Sequence, residues 1–240
     1  MPNALDHALF VVLAVLFPVR AAVFGFRRIG RASPEERPRV RVSVYRQAIA
    51  IQWGLAFATV ALWIACRREW DALGLVPRPT WGLGGVLVGT AIMAGVVVRQ
   101  RRQTLADDDA LARLRRRMEK VEPMLPHTRA DLVPFLQLSL TAGICEELLY
   151  RGYLIWYLSH WLTIYPAAAL ASLLFGVGHL YQGWRGVLTT GMVGAFLASV
   201  YLVSGSLFAG MALHALMDAH SGSLMQAAYE RAPAEAAEPA

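Results

Sequence analysis

Nine ionisable side chains interrupt the long apolar stretch that follows Asp131: Glu146, Glu147, Arg151, His160, His179, Arg185, His214, Asp218 and His220. An ionised carboxylate at a bilayer centre costs about 2.5–3.5 kcal/mol on insertion scales. Leucine would pack there without that cost, so each such residue needs a reason. His160 and Arg185 fall between apolar runs, and His220 at the end of one, where solvent or the interface accounts for them. Glu147 and Arg151 are i and i+4, with the acid N-terminal, the favoured order for an ion pair on one helix face. Glu146 lies about 100° further round, so the two carboxylates are not expected to share a partner. With Arg151 neutralising Glu147, Glu146 is left free. His214 and Asp218 are again i and i+4, a spacing at which a carboxylate orients an imidazole. His179 stands alone in "FGVGH", where the glycines permit close helix approach. Singly, these residues read as architecture. Together, Glu146, His179 and His214 could converge on a water, with the carboxylate as general base.

The elements that must position them are membrane helices. The chain has 240 residues, of which 56% are hydrophobic and 17% charged, and its mean hydropathy is +0.42. Soluble domains carry about 25% charged residues. The charges lie in blocks separated by apolar segments near the ~20 residues that cross a bilayer. The reading is an all-α, polytopic membrane protein: about seven transmembrane helices in a bundle with a polar intramembrane cavity. The net charge of +6 comes almost wholly from arginines between apolar spans, with Lys120 the sole lysine. That pattern signals topology, and no groove-reading motif accompanies it, which argues against nucleic acid. The two cysteines, Cys66 and Cys145, give no disulfide framework. No positively charged n-region precedes the first apolar segment, so it is expected to stay in the membrane.

Spans are expected at 4–26, 47–66, 81–98, 131–158, 161–180, 186–203 and 205–220. Pro18 and Arg20 interrupt the first. Residues 27–46, with seven arginines against two glutamates, form a cytoplasmic loop, in which "SPEER" resembles a helix start capped by Ser33. Pro77 and Pro79 keep the loop after Cys66 from forming regular helix. Within 99–131, "ADDDALARLRRR" places acids before bases, an order that suits the helix dipole and predicts an amphipathic helix along the cytoplasmic surface. The organisation is thus 1–130, N-terminal transmembrane helices with arginine-rich cytoplasmic loops; 131–220, the catalytic core; and 221–240, a tail of disordered composition. In the cell membrane the N-terminus would lie outside and the C-terminus in the cytoplasm.

"EELLYR" (Glu146–Arg151), "FGVGH" (Phe175–His179) and "HALMD" (His214–Asp218) resemble, in order, the EExxxR, FxxxH and HxxxN/D motifs of the CPBP family of intramembrane proteases. That family includes the CAAX prenyl proteases of the Rce1 type and bacterial Abi-like relatives. The resemblance covers about 131–220, and "LGLVPRP" (Leu73–Pro79) is weakly similar to a family loop. It implies a helical core with a cavity open toward the cytoplasm, where a glutamate and a histidine activate water to hydrolyse a peptide bond. Carried over, Glu146 is the base, assisted by His179. His214 and Asp218 polarise the scissile carbonyl, Glu147 and Arg151 pair beside the site, and Phe175 lines the substrate. Asparagine, which the eukaryotic-type motif has at position 218, donates to an oxyanion, whereas an ionised aspartate only accepts. Asp218 therefore either acts protonated or orients His214, and orientation is favoured.

Glu146, His179 and His214 could also hold zinc with an open fourth position, but no HExxH occurs and metal-free hydrolysis is favoured. The partners implied are a peptide or membrane-protein substrate and the lipid bilayer. Two other classes compete. A transporter or proton relay uses intramembrane Glu, His and Asp, yet the paired repeats usual in transporters are absent. A non-catalytic immunity or scaffold protein of the family would not need these costly charges.

Overall fold

The computed structural model describes residues 1–20 and 25–231. Among them every regular element is helical. Helix α1, Ala4–Val11, starts at an Asn3 cap and passes through a π-wound stretch, Val12–Leu16, into Phe17–Arg20. The proline ring at 18 conflicts with the carbonyl four residues back, and the π winding spans that carbonyl. The middle of the expected first span, 21–24, lies outside the described residues.

Helix α2, Arg37–Ala65, has Pro in its first turn and runs 29 residues. This corrects the expected loop at 27–46: its second half is helix. "SPEER" is a turn, with Ser33 Oγ accepting from Glu36 N at 3.3 Å, and α2 starts after it. Arg39 and Arg46 are exposed, but Arg41 is buried. Its guanidinium donates to Asp131 at 2.8 Å and to the Pro123 carbonyl at 2.9 Å, so this arginine serves packing as well as topology.

After a 3-10 turn, Trp70–Leu73, Gly74 turns the chain at φ 76°, where glycine is favoured. Helix α3, Trp81–Leu105, buries none of its residues. Of its glycines only Gly82 approaches another helix, at the Val203 carbonyl; Gly84, Gly85, Gly89 and Gly95 face open space. Helix α4, Asp108–Met118, is the predicted amphipathic helix: Asp107 caps it, Arg115–Arg117 close it, and Leu111 is buried.

The remaining helices are α5, Arg129–Leu158, α6, Ile164–Val177, α7, Gly183–Ser204, and α8, Leu207–Glu230. The tail expected from residue 221 is helical as far as Glu230, because Gly222, Leu224, Met225 and Ala228 pack inward; residues 232–240 lie outside the described residues.

Among the described residues four helices are long and apolar enough to cross a membrane: α2, α3, α5 and the segment Leu180–Ser204. This is a membrane protein. Three of the seven expected crossings do not meet that measure: the first includes residues outside the described ones, and the other two fall short for physical reasons. α6 has only 14 residues, and α8 turns polar after His214. Leu87, Val88, Ile92 and Val96 of α3 and Leu188, Met192 and Phe196 of α7 point outward, a surface suited to lipid rather than water.

Helices α2 and α5 run parallel: Arg41 meets Asp131, Tyr45 meets Phe135, Gln52 meets Glu146 and Trp63 meets Trp156. Helix α8 runs antiparallel to α5. A Cβ at Gly143 would lie 2.7 Å from the Met211 carbonyl oxygen, so glycine sets that crossing. Arginines crowd one end of the bundle, where Arg231 donates to the Leu105 carbonyl. At the other end, Leu207 N donates to the Gly74 carbonyl at 2.9 Å. There Arg68 pairs with Asp6 beneath the faces of Trp63 and Trp156.

Candidate active site

Helix α5 brings the acids in. Thr128 caps it through Asp131 N, and it is α-helical to Glu146, after which Glu147–Leu154 takes π winding. Such widened turns recur at functional sites. All eight residues of that stretch are buried.

Glu147 and Arg151 form the ion pair that their spacing predicts, Oε1 to guanidinium at 2.9 Å. A second guanidinium nitrogen donates to the Gly194 carbonyl at 3.2 Å, and the guanidinium carbon lies 4.2 Å from the centre of the Phe175 ring. Glycine at 194 is needed here, since a Cβ would come 3.1 Å from Phe175 and 3.3 Å from Arg151.

His214, from α8, donates through Nδ1 to Glu147 Oε1 at 2.9 Å. Its Nε2 faces Glu146 Oε2 and Asp218 Oδ2, each at 3.8 Å. The expectation that Glu146 and Glu147 share no partner is therefore corrected. The angle between them remains, but an imidazole has nitrogens on opposite edges: Nδ1 is hydrogen-bonded to Glu147, and Nε2 lies within ion-pair reach of Glu146 but beyond hydrogen-bond distance. The hydrogen bond that orients His214 is the one that Glu147 accepts. Asp218 is too far from Nε2 for one, and its side chain is 43% exposed against 7% for that of His214.

His179 follows the last turn of α6. Its Nδ1 donates to the Phe175 carbonyl at 2.9 Å, so in the neutral ring Nε2 carries the lone pair. It joins the cluster through Phe175, whose ring centre lies 4.9 Å from that of His179 and 5.8 Å from that of His214. Close passage of α7 permits this, because a Cβ at Gly176 would stand 2.5 Å from the Val187 carbonyl. Phe175 is thus a central spacer among Tyr150, Arg151, His179 and His214.

One residue at the site gave no signal in the sequence. Gln52, on α2 and buried, donates through Nε2 to Glu146 Oε1 at 2.9 Å. A single glutamine in an apolar span resembles any other polar interruption, and only the parallel packing of α2 on α5 reveals its partner.

The zinc set does not fit. Among the described residues no three or more His, Cys, Asp or Glu side chains are grouped to hold a metal ion, and His214 Nδ1 is already committed to Glu147. Glu146 and His214 adjoin, and His179 packs against the Phe175 ring.

Fold and site together define an all-helical membrane protein with a buried acid–imidazole cluster. Residues 128–220 match the family model described as type II CAAX prenyl endopeptidase, Rce1-like, and this segment is similar to that family of proteases. No curated protein and no solved structure matches the chain. Gln52 lies outside the matched residues.

Proposed function

We propose that this protein is an intramembrane endopeptidase that cuts a peptide bond near the cytoplasmic face, with Glu146 as the base. The observation that carries the reading is the placement of His214, pinned by Glu147 on one nitrogen and facing Glu146 with the other. Glu146 takes a proton from water as the oxygen attacks the scissile carbonyl carbon. His214, when protonated, presents Nε2–H to the developing oxyanion, and its positive charge is balanced by Glu147. Collapse of the tetrahedral intermediate breaks the C–N bond, and Glu146 returns the proton to the leaving amine. His179, through its free Nε2, assists the water. Asp218 stands at the solvent edge, where it stabilises a protonated His214 through space.

The orientation follows from charge. The arginine-rich start of α2, the end of α3 and α4 share one end with the start of α5, and we assign that end to the cytoplasm. The N-terminus then lies outside and the end of α8 inside. The first helical segment, α6 and α8 complete a bundle of about seven crossings. We place the entry of the substrate at the cytoplasmic end, near the partly exposed Asp218, where α8 loses its apolar character. The substrate is a peptide or membrane-protein segment, and its prenylation is an experimental variable.

The test is cleavage of fluorogenic peptides, with and without a C-terminal prenyl group, by the purified chain in detergent. Glu146→Ala is expected to lower kcat by about 10²–10⁴, the range for loss of a general base, without loss of helicity. Full activity in that variant would overturn the assignment. Proton flux in liposomes that needs Glu146, with no peptidase activity, would favour a proton relay instead.

A further inference from the structure

Gln52 is 4% exposed, and its two polar atoms differ in circumstance. Nε2 is engaged with Glu146 Oε1. The carbonyl oxygen, Oε1, is buried and finds no hydrogen-bond partner among the described residues. Glu147 Oε2, in the same cluster, is also buried without a partner, but Gly210 stands against it, where a Cβ would lie 3.1 Å away. A buried acceptor without a donor destabilises the fold, whereas an apolar side chain of the same shape would not. Methionine at position 52 would fill nearly the same volume. The glutamine therefore carries a cost that helix packing does not explain. Its amide also settles which oxygen of Glu146 is occupied, leaving Oε2 turned to His214 Nε2.

We infer that Gln52 completes the active site from the N-terminal half: its amide nitrogen positions the Glu146 carboxylate, and its carbonyl oxygen accepts a hydrogen bond from a backbone N–H of the bound peptide. This rests on the peptidase reading. One side chain then ties the base to the substrate, so that Glu146 Oε2 is aimed only where a peptide lies against α2. The matched segment alone lacks this contact, and α2 becomes part of the enzyme rather than a membrane anchor.

The experiment uses the full chain in detergent and a fluorogenic peptide, with Glu146→Ala as the inactive reference. Gln52→Met removes both contacts, and Gln52→Glu keeps an acceptor while losing the donor. For Gln52→Met, kcat is expected to fall about ten- to hundredfold, the range for losing a hydrogen bond to a charged group, and KM to rise. For Gln52→Glu, kcat falls with KM near wild type. A residue that only supported packing would not separate the two constants in this way. Thermal stability across Gln52→Met, Glu146→Gln and the double variant should be non-additive, as for side chains in contact. Wild-type kcat and KM in Gln52→Met, beside an inactive Glu146→Ala, would overturn the inference. If the wild-type chain cleaves no peptide, the peptidase reading fails, and additive stabilities would then refute the Gln52–Glu146 contact separately. Should Gln52→Met not fold, Gln52→Glu alone decides: unchanged kcat refutes the positioning role.

Discussion

Replacing Glu147 by glutamine separates the structural from the chemical use of one carboxylate. Glu147 is fully buried, and its Oε1 holds both Arg151 and His214 at 2.9 Å. Two losses follow from the neutral amide. Arg151 becomes a buried charge without its counter-ion, and breaking a buried pair from one side costs about 3–5 kcal/mol. In a chain of this size each kcal/mol corresponds to about 2–4 °C, so a fall in Tm of about 6–20 °C is expected. Independently, His214 loses a charge-assisted hydrogen bond worth about 1.5–3 kcal/mol. Since the protonated ring that Glu147 supports must meet the oxyanion that develops along the reaction, that loss appears as a drop in kcat of about ten- to hundredfold. The double variant Glu147→Gln/Arg151→Met separates the two. Removing both charges of a buried pair is often neutral in stability, so Tm should recover toward wild type. The rate should not, because Nδ1 still lacks its anionic acceptor. The assays are peptide cleavage and thermal unfolding on the same detergent-purified samples. Recovery of both Tm and kcat in the double variant would refute the reasoning, since Glu147 would then act only through Arg151. An unchanged kcat in well-folded Glu147→Gln would refute the role of His214.

Two other outcomes follow. Gly143→Ala places a Cβ 2.7 Å from the Met211 carbonyl oxygen and 2.8 Å from Ala215, an overpacking cost of about 1–3 kcal/mol. Its Tm should fall and its activity with it, because α5 and α8 both carry site residues, whereas Gly85→Ala, in open space, should hold or gain stability. On the arginine-rich end, burial pushes the Glu122 carboxyl up, but the hydrogen bond to His127 and the charges of His127, Arg41 and Arg37 together outweigh it and hold the group below its ordinary value of 4.5. A depressed carboxylate stabilises the fold above its unfolded value, and that contribution is lost as pH falls through the lower folded value. Tm of the wild type should therefore decline below about pH 4.5, and Glu122→Gln should flatten that part of the profile; an identical profile in the variant would count against the pairing.

Features local to one helix were legible in the residues themselves. The Glu147–Arg151 pair, the acid-to-base order of α4 and the apolar spans depend on repeats of a few residues, and helix geometry fixes those wherever the helix sits. The motifs flanking Glu146, His179 and His214 pointed to the family in the same way. Arg41 and Gln52 mark the limit. In the sequence one is another arginine of a basic stretch, and the other a polar residue in an apolar span. Their partners, Asp131 and Glu146, lie 90 and 94 residues away, on a helix whose parallel alignment with α2 no local pattern encodes. The shared use of His214 by two acids is of the same kind. Angular separation along α5 argued against any common partner, but a ring brought in on α8, past Gly143 and Gly210, bonds Glu147 and comes within 3.8 Å of Glu146. The amino-acid order settles which side chains share a helix face; only the crossing of helices, set by small residues and close contact, decides which faces meet.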